Sequence, residues 1–417
     1  FAIDRKATAP CKTACPAHIS AQGYVNLIAE GRFRDALDTI RMRIPFPSVC
    51  GRICYHPCED KCLRGEVDEP VAINNLKRFV SDLELEEAGL VEGFSGVELA
   101  KDASKQPGAD EKKDIPPREE KVAVIGAGPS GLTAAHDLAQ LGFKVTVFEA
   151  LPFAGGMLAA GIPDYRLPKK ILNHEIERIK SLGVEIKLNT PVERDGGIDN
   201  LFESGYSAVY IASGAHKSYV MNIPGENLPG VIYGLDFLRK VNAGERPAAG
   251  PGVVVIGGGN SAIDTARTSL RLGAEKVTVA YRRSRAEMPA HEWEIGEAER
   301  EGIEFVFLAS PVEICAGADG KVEKVKFIRN ALGAPDASGR ASFAPVPGSE
   351  FEMKADMVVA AIGHSPETSF IAPESGVKIG RWANVDINEK TAATSRKGVF
   401  AGGDCEIGRA SCRERVF

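Results

Sequence analysis

The sequence predicts an α/β fold in which a helical, cysteine-rich segment precedes two nested parallel-sheet units. Three observations predict it. Six of the nine cysteines fall within the first 62 residues. A strand, a glycine turn, a helix and a second strand recur as one pattern from Lys121 and again from Gly252, and such βαβ series imply parallel sheets with helices on both faces. Between the cysteines and the first repeat, residues 92–119 are charged and rich in Gly and Pro, which reads as a linker.

The helical segment spans residues 1–91. Val25, Leu27, Ile28, Phe33, Leu37 and Ile40 are helix-spaced across Ile19–Ile44, and a second helix is expected from about Val71 to Leu90. Pro45, Pro47 and Pro57 break the stretch between them, where Cys50, Cys54, Cys58 and Cys62 lie.

In the first repeat, Gly126-Ala-Gly128-Pro129-Ser130-Gly131 follows the strand KVAVI and opens a helix. Gly126 serves the tight turn, Gly128 admits a pyrophosphate to the backbone, and Gly131 lets helix and strand pack closely. Glu149, after the next strand, suits the ribose hydroxyls. Small residues and bare backbone follow at Gly155, Gly156, Met157, Gly161 and Ile162, with Arg166 just beyond. They suit a flat isoalloxazine ring, so FAD is expected here; an ordinary loop is the competing reading. Two further turns, at Gly214 and at Gly403-Asp404, each follow a strand and complete the expected FAD set.

The second repeat carries Gly257-Gly-Gly259-Asn260-Ser261-Ala262. Where an NAD site carries Asp or Glu, this chain has Arg282 and Arg283, with Arg285 close by; guanidinium groups attract a 2′-phosphate that a carboxylate repels. NADP(H) is expected over NAD(H). The domain reading is therefore FAD-binding at 120–232, an inserted NADPH-binding domain at 233–365, and a return to the FAD domain at 366–405. Both units are Rossmann-like.

The thiols are spaced Cys11-x3-Cys15-Pro16, then Cys50-x3-Cys54-x3-Cys58-x3-Cys62. This suits a [4Fe–4S] cluster; zinc and free structural thiols are the competing readings. Redox logic favours the cluster, because a flavin accepts a hydride and releases single electrons, for which a cluster is an outlet. Cys315 reads as a small apolar residue in a buried strand. No residue is assigned a catalytic role, since positioning alone serves hydride transfer.

Composition excludes several classes. Hydrophobic residues make up 44% and charged residues 26% of 417, with a net charge of −6, and there is no basic stripe for nucleic acid. No apolar run is long enough for a membrane span. Clustered cysteines beside nucleotide motifs point to a reducing compartment, hence the cytoplasm. The chain opens at Phe1 rather than Met, which reads as a fragment.

Over residues 3–405 the chain resembles the glutamate synthase small (beta) subunit-like family, and is similar to the electron-input half of dihydropyrimidine dehydrogenase. The resemblance rests on PCKTACPAHI, PFPSVCGRICYHPCEDKC, EPVAINNLKRF, GAGPSGL, GIPDYRLPK, GGGNSAIDTA, YRRSRAEMPA and FAGGD. It implies FAD, NADPH and two [4Fe–4S] clusters that pass electrons to a catalytic partner subunit or domain. It assigns Cys15, Cys54 and Cys58 to one cluster and Cys11 and Cys62 to the other. Ile3 and Lys6 stand where the family has two more cysteines, and Lys77 stands where one member supplies a Gln ligand. Six cysteines cannot fill two four-cysteine cubes, so one cluster is expected, or two with other ligands. The competing readings are an NAD(P)H:ferredoxin-type subunit of another complex and a non-catalytic nucleotide-binding scaffold. A disulfide reductase is disfavoured because residues 121–300 contain no cysteine. The end, residues 406–417, reads as non-native, which would empty Ile407–Phe417 and Cys412 of meaning.

Overall fold

The computed structural model describes residues 8–94, 97, 116–336 and 339–407. Most of the expected linker, the positions Ile3 and Lys6, and the end including Cys412 lie outside the described residues.

The first unit is a five-stranded parallel sheet in the order Val399–Ala401, Tyr206–Ile211, Lys121–Ile125, Lys144–Phe148, Glu185–Lys187. The helix Pro129–Gln140 follows its central strand, with Pro at the first turn and Gly128 as the uncapped start. The second unit repeats this in a parallel sheet ordered Val231–Tyr233, Met357–Ala360, Gly252–Ile256, Lys276–Tyr281, Glu304–Phe307. Its own helix is Asn260–Arg271. Central strands of both sheets are buried along almost their whole length, as parallel sheets covered on two faces require.

Val231 already belongs to the second sheet, so the chain leaves the first unit before the expected boundary at 233. It crosses at the antiparallel pair Lys217–Ser218 with His364–Ser365. The strands Ala309–Ala316, Val322–Pro335, Ala341–Pro345 and Phe351–Lys354 form an antiparallel sheet that the repeat pattern did not announce. Cys315 lies on its first strand and is half-buried rather than buried.

At the N-terminus the expected single helix is two, Ala21–Ala29 and Phe33–Arg41. The break falls at Gly31, whose φ of 75° no helix interior accepts. The helix expected at Val71–Leu90 runs from Ile73 to Glu87. This segment is not a free-standing module. Phe46, Val49 and Ile53, on and beside the helix Pro47–Ile53, join the first unit's hydrophobic core. The Ser48 N–H donates to Glu175 at 2.8 Å, and Arg178 reaches back to Glu84 at 2.9 Å.

Candidate functional site

A cavity of about 1000 Å³ opens at the carboxyl ends of the first sheet's strands, where open α/β sheets bind ligands. Of the expected FAD residues, Gly126, Gly128, Pro129, Ser130, Glu149, Gly156, Met157, Gly161, Ile162, Arg166, Gly214, Gly403 and Asp404 line it. Gly131 and Gly155 stand behind it. A Cβ on Gly131 would sit 2.0 Å from the Gly126 carbonyl oxygen, so helix and strand meet only if this residue has none. A Cβ on Gly156 would sit 2.6 Å from the Gly128 Cα, so the two loops touch backbone to backbone.

Glu149 is buried, and its carboxylate accepts N–H bonds from Ala127 at 2.7 Å and Leu151 at 2.8 Å. It braces the glycine turn and keeps lone pairs for ribose hydroxyls. The uncapped N–H groups of Gly128 and Ser130 belong to residues that line the same space and suit phosphate. Glycine backbone, open amides and a fixed carboxylate thus fit the adenine-dinucleotide half of FAD.

Asn260 and Ser261, at the start of the second unit's helix, line the same cavity. Gly257 and Gly259 form the turn before them, and Ala262 is buried in the first turn of the helix. Arg166 bridges the units: it pairs with Asp264 at 2.6 Å and with Glu294. Burial raises both carboxyls against the pull of Arg166, Glu294 to about 7.

The expected arginines separate. Arg283 is buried; it pairs with Asp336 at 2.6 Å, and its Nε–H donates to the Ala341 carbonyl. It secures the hairpin of the antiparallel sheet instead of facing a ribose. Arg285 is held by Glu292 and Glu299. Arg282 is exposed, its guanidinium 4.9 Å from the Phe343 ring centre, and remains suited to a 2′-phosphate.

Sequence reasoning missed Arg43, Pro45 and Ile53, which reach the cavity wall from the cysteine segment. Pro45 and Ile53 were signalled only by the apolar character of PFPSVCGRI, and Arg43 by nothing local. It also missed His216 and Arg239, in contact at 3.3 Å on the same wall. Burial, reinforced by Arg239, lowers His216 to about 4.

None of the described cysteines forms a disulfide. Burial pushes Cys58 up to about 12, reinforced by Cys54 and Cys15 and opposed by Lys77. The same neighbours act on Cys50. Cys15, Cys54 and Lys77 thus lie near both Cys50 and Cys58 in one thiol nest, and Cys11 shares a hydrophobic cluster with Cys50 and Cys58, with Cys15 packed against it. Cys11 lies on Pro10–Ala14, which packs on the helix Pro57–Asp60, and Cys62 follows that second helix.

Lys77 is only 6% exposed, and among the described residues no carboxylate pairs with it. A buried cation needs a counter-charge, which cysteines held as thiolates by a cluster would supply. Among the described residues no three His, Cys, Asp or Glu converge tightly enough for a single metal ion. A four-iron cube takes one ligand per iron and so accepts a wider spacing. The nest offers the thiol donors that a cluster takes. The His56 N–H already donates to the Cys54 sulfur at 3.3 Å.

Two glycine loops at one cavity, with a thiol nest in the segment whose Ile53 reaches its wall, define a pyridine-nucleotide-dependent flavin oxidoreductase with an iron–sulfur domain. Comparison with known proteins agrees. Residues 120–415 match the model described as pyridine nucleotide-disulphide oxidoreductase, and residues 5–89 match dihydropyrimidine dehydrogenase domain II, 4Fe-4S cluster. The chain belongs to the pyridine nucleotide-disulphide oxidoreductase family. Its cofactors are FAD, NADPH and a [4Fe–4S] cluster.

The chain is 46% identical to the NADP(+)-dependent formate dehydrogenase subunit beta of Moorella thermoacetica, over 98% of its own length and 58% of the relative's. It is 42% identical to the NADPH-Fe(3+) oxidoreductase subunit beta of Geobacter sulfurreducens, over 97% and 61%. It is 36% identical to the glutamate synthase [NADPH] small chain of Escherichia coli, over 94% and 83%. The chain thus spans about three fifths of the first two relatives. The fold also resembles FprA from Mycobacterium tuberculosis in complex with NADPH, with a TM-score of 0.58 at 24% identity over 70% of this chain and 80% of that one. No helix among the described residues is long and apolar enough to cross a membrane.

Proposed function

We propose that this chain is the NADPH-oxidising input part of a larger oxidoreductase and delivers electrons through its cysteine segment to a catalytic partner. The first glycine loop, Glu149 and Asp404 hold FAD; the second loop and Arg282 hold NADPH; Cys15, Cys50, Cys54 and Cys58 are the candidate ligands of one cluster. Bound FAD supplies the conversion between hydride and single-electron chemistry.

The chain's own residues supply position. Glu149 fixes the first glycine turn, and Arg166 with Asp264 and Glu294 holds the second unit against the first. Ile53 and Met157 present apolar surface in the cavity and exclude water from it. The carrying observation is the adjacency of Ile53, in the cavity wall, to Cys54, in the thiol nest. One residue separates the space for the flavin from the expected one-electron outlet.

Anaerobically purified, iron-reconstituted protein is expected to show flavin absorbance and a reducible iron–sulfur signal, and to reduce a one-electron dye with NADPH. A folded, flavin-loaded protein that gives no turnover would make it a scaffold. For the partner, higher identity to the formate dehydrogenase and Fe(3+) oxidoreductase subunits than to the glutamate synthase chain favours another complex over a glutamate synthase. Co-purification from the source organism, followed by identification of the bound subunit, tests that choice.

A further inference from the structure

The cysteine segment touches the second unit as well as the first, at the stretch that crosses the second glycine loop. After the strand Lys276–Tyr281 the chain turns through Ser284–Glu287, where Ser284 and Glu287 cap each other. The Tyr281 hydroxyl donates to the Glu287 carbonyl at 2.8 Å. The chain then returns over the loop as Met288–His291. The Ala290 N–H donates to the Gly258 carbonyl at 3.0 Å, and the His291 N–H donates to the Asn260 side-chain oxygen at 3.1 Å. Pro289 stands 3.9 Å from where a side chain on Gly259 would begin. This strap lies against the residues that lead into the helix Asn260–Arg271.

Its far end is fastened from another part of the molecule. The Tyr55 ring stacks on His291, with centroids 5.0 Å apart and planes 14° from parallel. Tyr55 directly follows Cys54. His56, at a φ of 46°, then turns the chain into Pro57–Asp60. The backbone of the thiol nest therefore sets where the ring points. Both rings are half-buried, so the contact lies at a boundary between units and not in a core.

We propose that Tyr55 is a positioning residue for the pyridine nucleotide: stacked on His291, it fastens the Met288–His291 strap across the second glycine loop, so that the cysteine segment helps hold NADP(H). This rests on the reading of that loop as the NADP(H) site. With the strap fastened, a main-chain donor orients Asn260 at the mouth of the loop. With it loose, Asn260 is free to turn and the ligand leaves faster. Linkage makes the effect mutual, so a nucleotide held under the strap also steadies the chain next to Cys54.

The test titrates NADP+ into the full, flavin-loaded chain and follows the flavin spectrum, with wild type, Tyr55→Phe, Tyr55→Ala, His291→Ala and the double alanine variant. Tyr55→Phe keeps the ring and is expected to keep wild-type affinity. Each single alanine variant is expected to bind about fivefold more weakly, the scale of one aromatic pair. The double variant is expected to bind no more weakly than either single one, because one contact is lost in all three. In turnover with dye the KM for NADPH should rise while kcat holds. Wild-type affinity in Tyr55→Ala, or losses that add in the double variant, would overturn the latch. Should Tyr55→Ala lose its flavin, His291→Ala alone decides by the same affinity criterion. A flavin-loaded wild type that binds no NADP+ overturns the reading of the loop itself, a result distinct from failure of the latch.

Discussion

The two glycine loops are built from one supersecondary pattern and are finished differently. In the first, Gly131 lies so close to the Gly126 carbonyl that no Cβ fits, and a carboxylate braces the turn from behind. In the second, the corresponding residue is Ala262, fully buried, and the turn is covered from above by the Met288–His291 strap. The first loop is closed by close backbone contacts and a buried carboxylate, as suits a cofactor that stays. The second is held by contacts that can open, as suits a nucleotide that must leave after each turnover.

That contrast can be broken at several points. The largest effect is expected for Gly131→Ala, whose methyl would meet the Gly126 oxygen at 2.0 Å. A helix shift on the order of 3 kcal/mol should lower Tm and strip flavin, read as flavin absorbance per protein. The reverse change in the other loop, Ala262→Gly, should cost about 1 kcal/mol and leave flavin content intact.

Arg282→Gln removes the exposed guanidinium from the second loop and should weaken NADPH by roughly tenfold while sparing NADH. Kinetics with both nucleotides check it, and equal losses would remove Arg282 from the 2′-phosphate. Glu149→Gln exchanges one acceptor oxygen in the first loop for an N–H donor facing a backbone amide. The expected loss is about 1–3 kcal/mol of flavin binding with nucleotide preference unchanged, seen by flavin release in mild denaturant.

A smaller effect follows from the seam between the cysteine segment and the first unit. Burial alone would raise the Glu84 carboxyl, but Arg41, Arg178 and Arg34 outweigh it and hold it at about 2. The depressed value means that this contribution is present above the ordinary carboxylate pKa of 4.5 and is lost as pH falls from there towards 2. Acid titration should therefore loosen the segment between those limits, and Glu84→Gln should flatten that part of the stability profile. Thermal melts against pH measure both.

Much of this was legible early because glycine turns are local devices. Gly126, Gly128 and Glu149 announce a dinucleotide site by spacing, and the structure brings all three to one cavity. The strands Lys121–Ile125 and Gly252–Ile256 were legible as unbroken β-branched runs. Arg283 was not, because a guanidinium two residues beyond a strand reads alike whether it meets a phosphate or an Asp336 that is distant in sequence. Arg166 likewise reads as a ligand group until Asp264 and Glu294 are seen to claim it. The break at Gly31 was overruled by apolar spacing that continues in phase on both sides of it.

The sequence alone determined the class: two phosphate-binding turns in order, an arginine where a carboxylate would select NAD, and clustered thiols upstream. Each depends on residues close together along the chain, where spacing is geometry. Only the tertiary structure decided that Ile53 and Arg43 belong to the cavity wall, that Lys77 lies buried beside the thiols with no carboxylate pairing it among the described residues, and that Tyr55 reaches His291 on the strap over the second loop. Those contacts join residues far apart in sequence. Burial and packing bring them together, and no local pattern records which partner a side chain will meet.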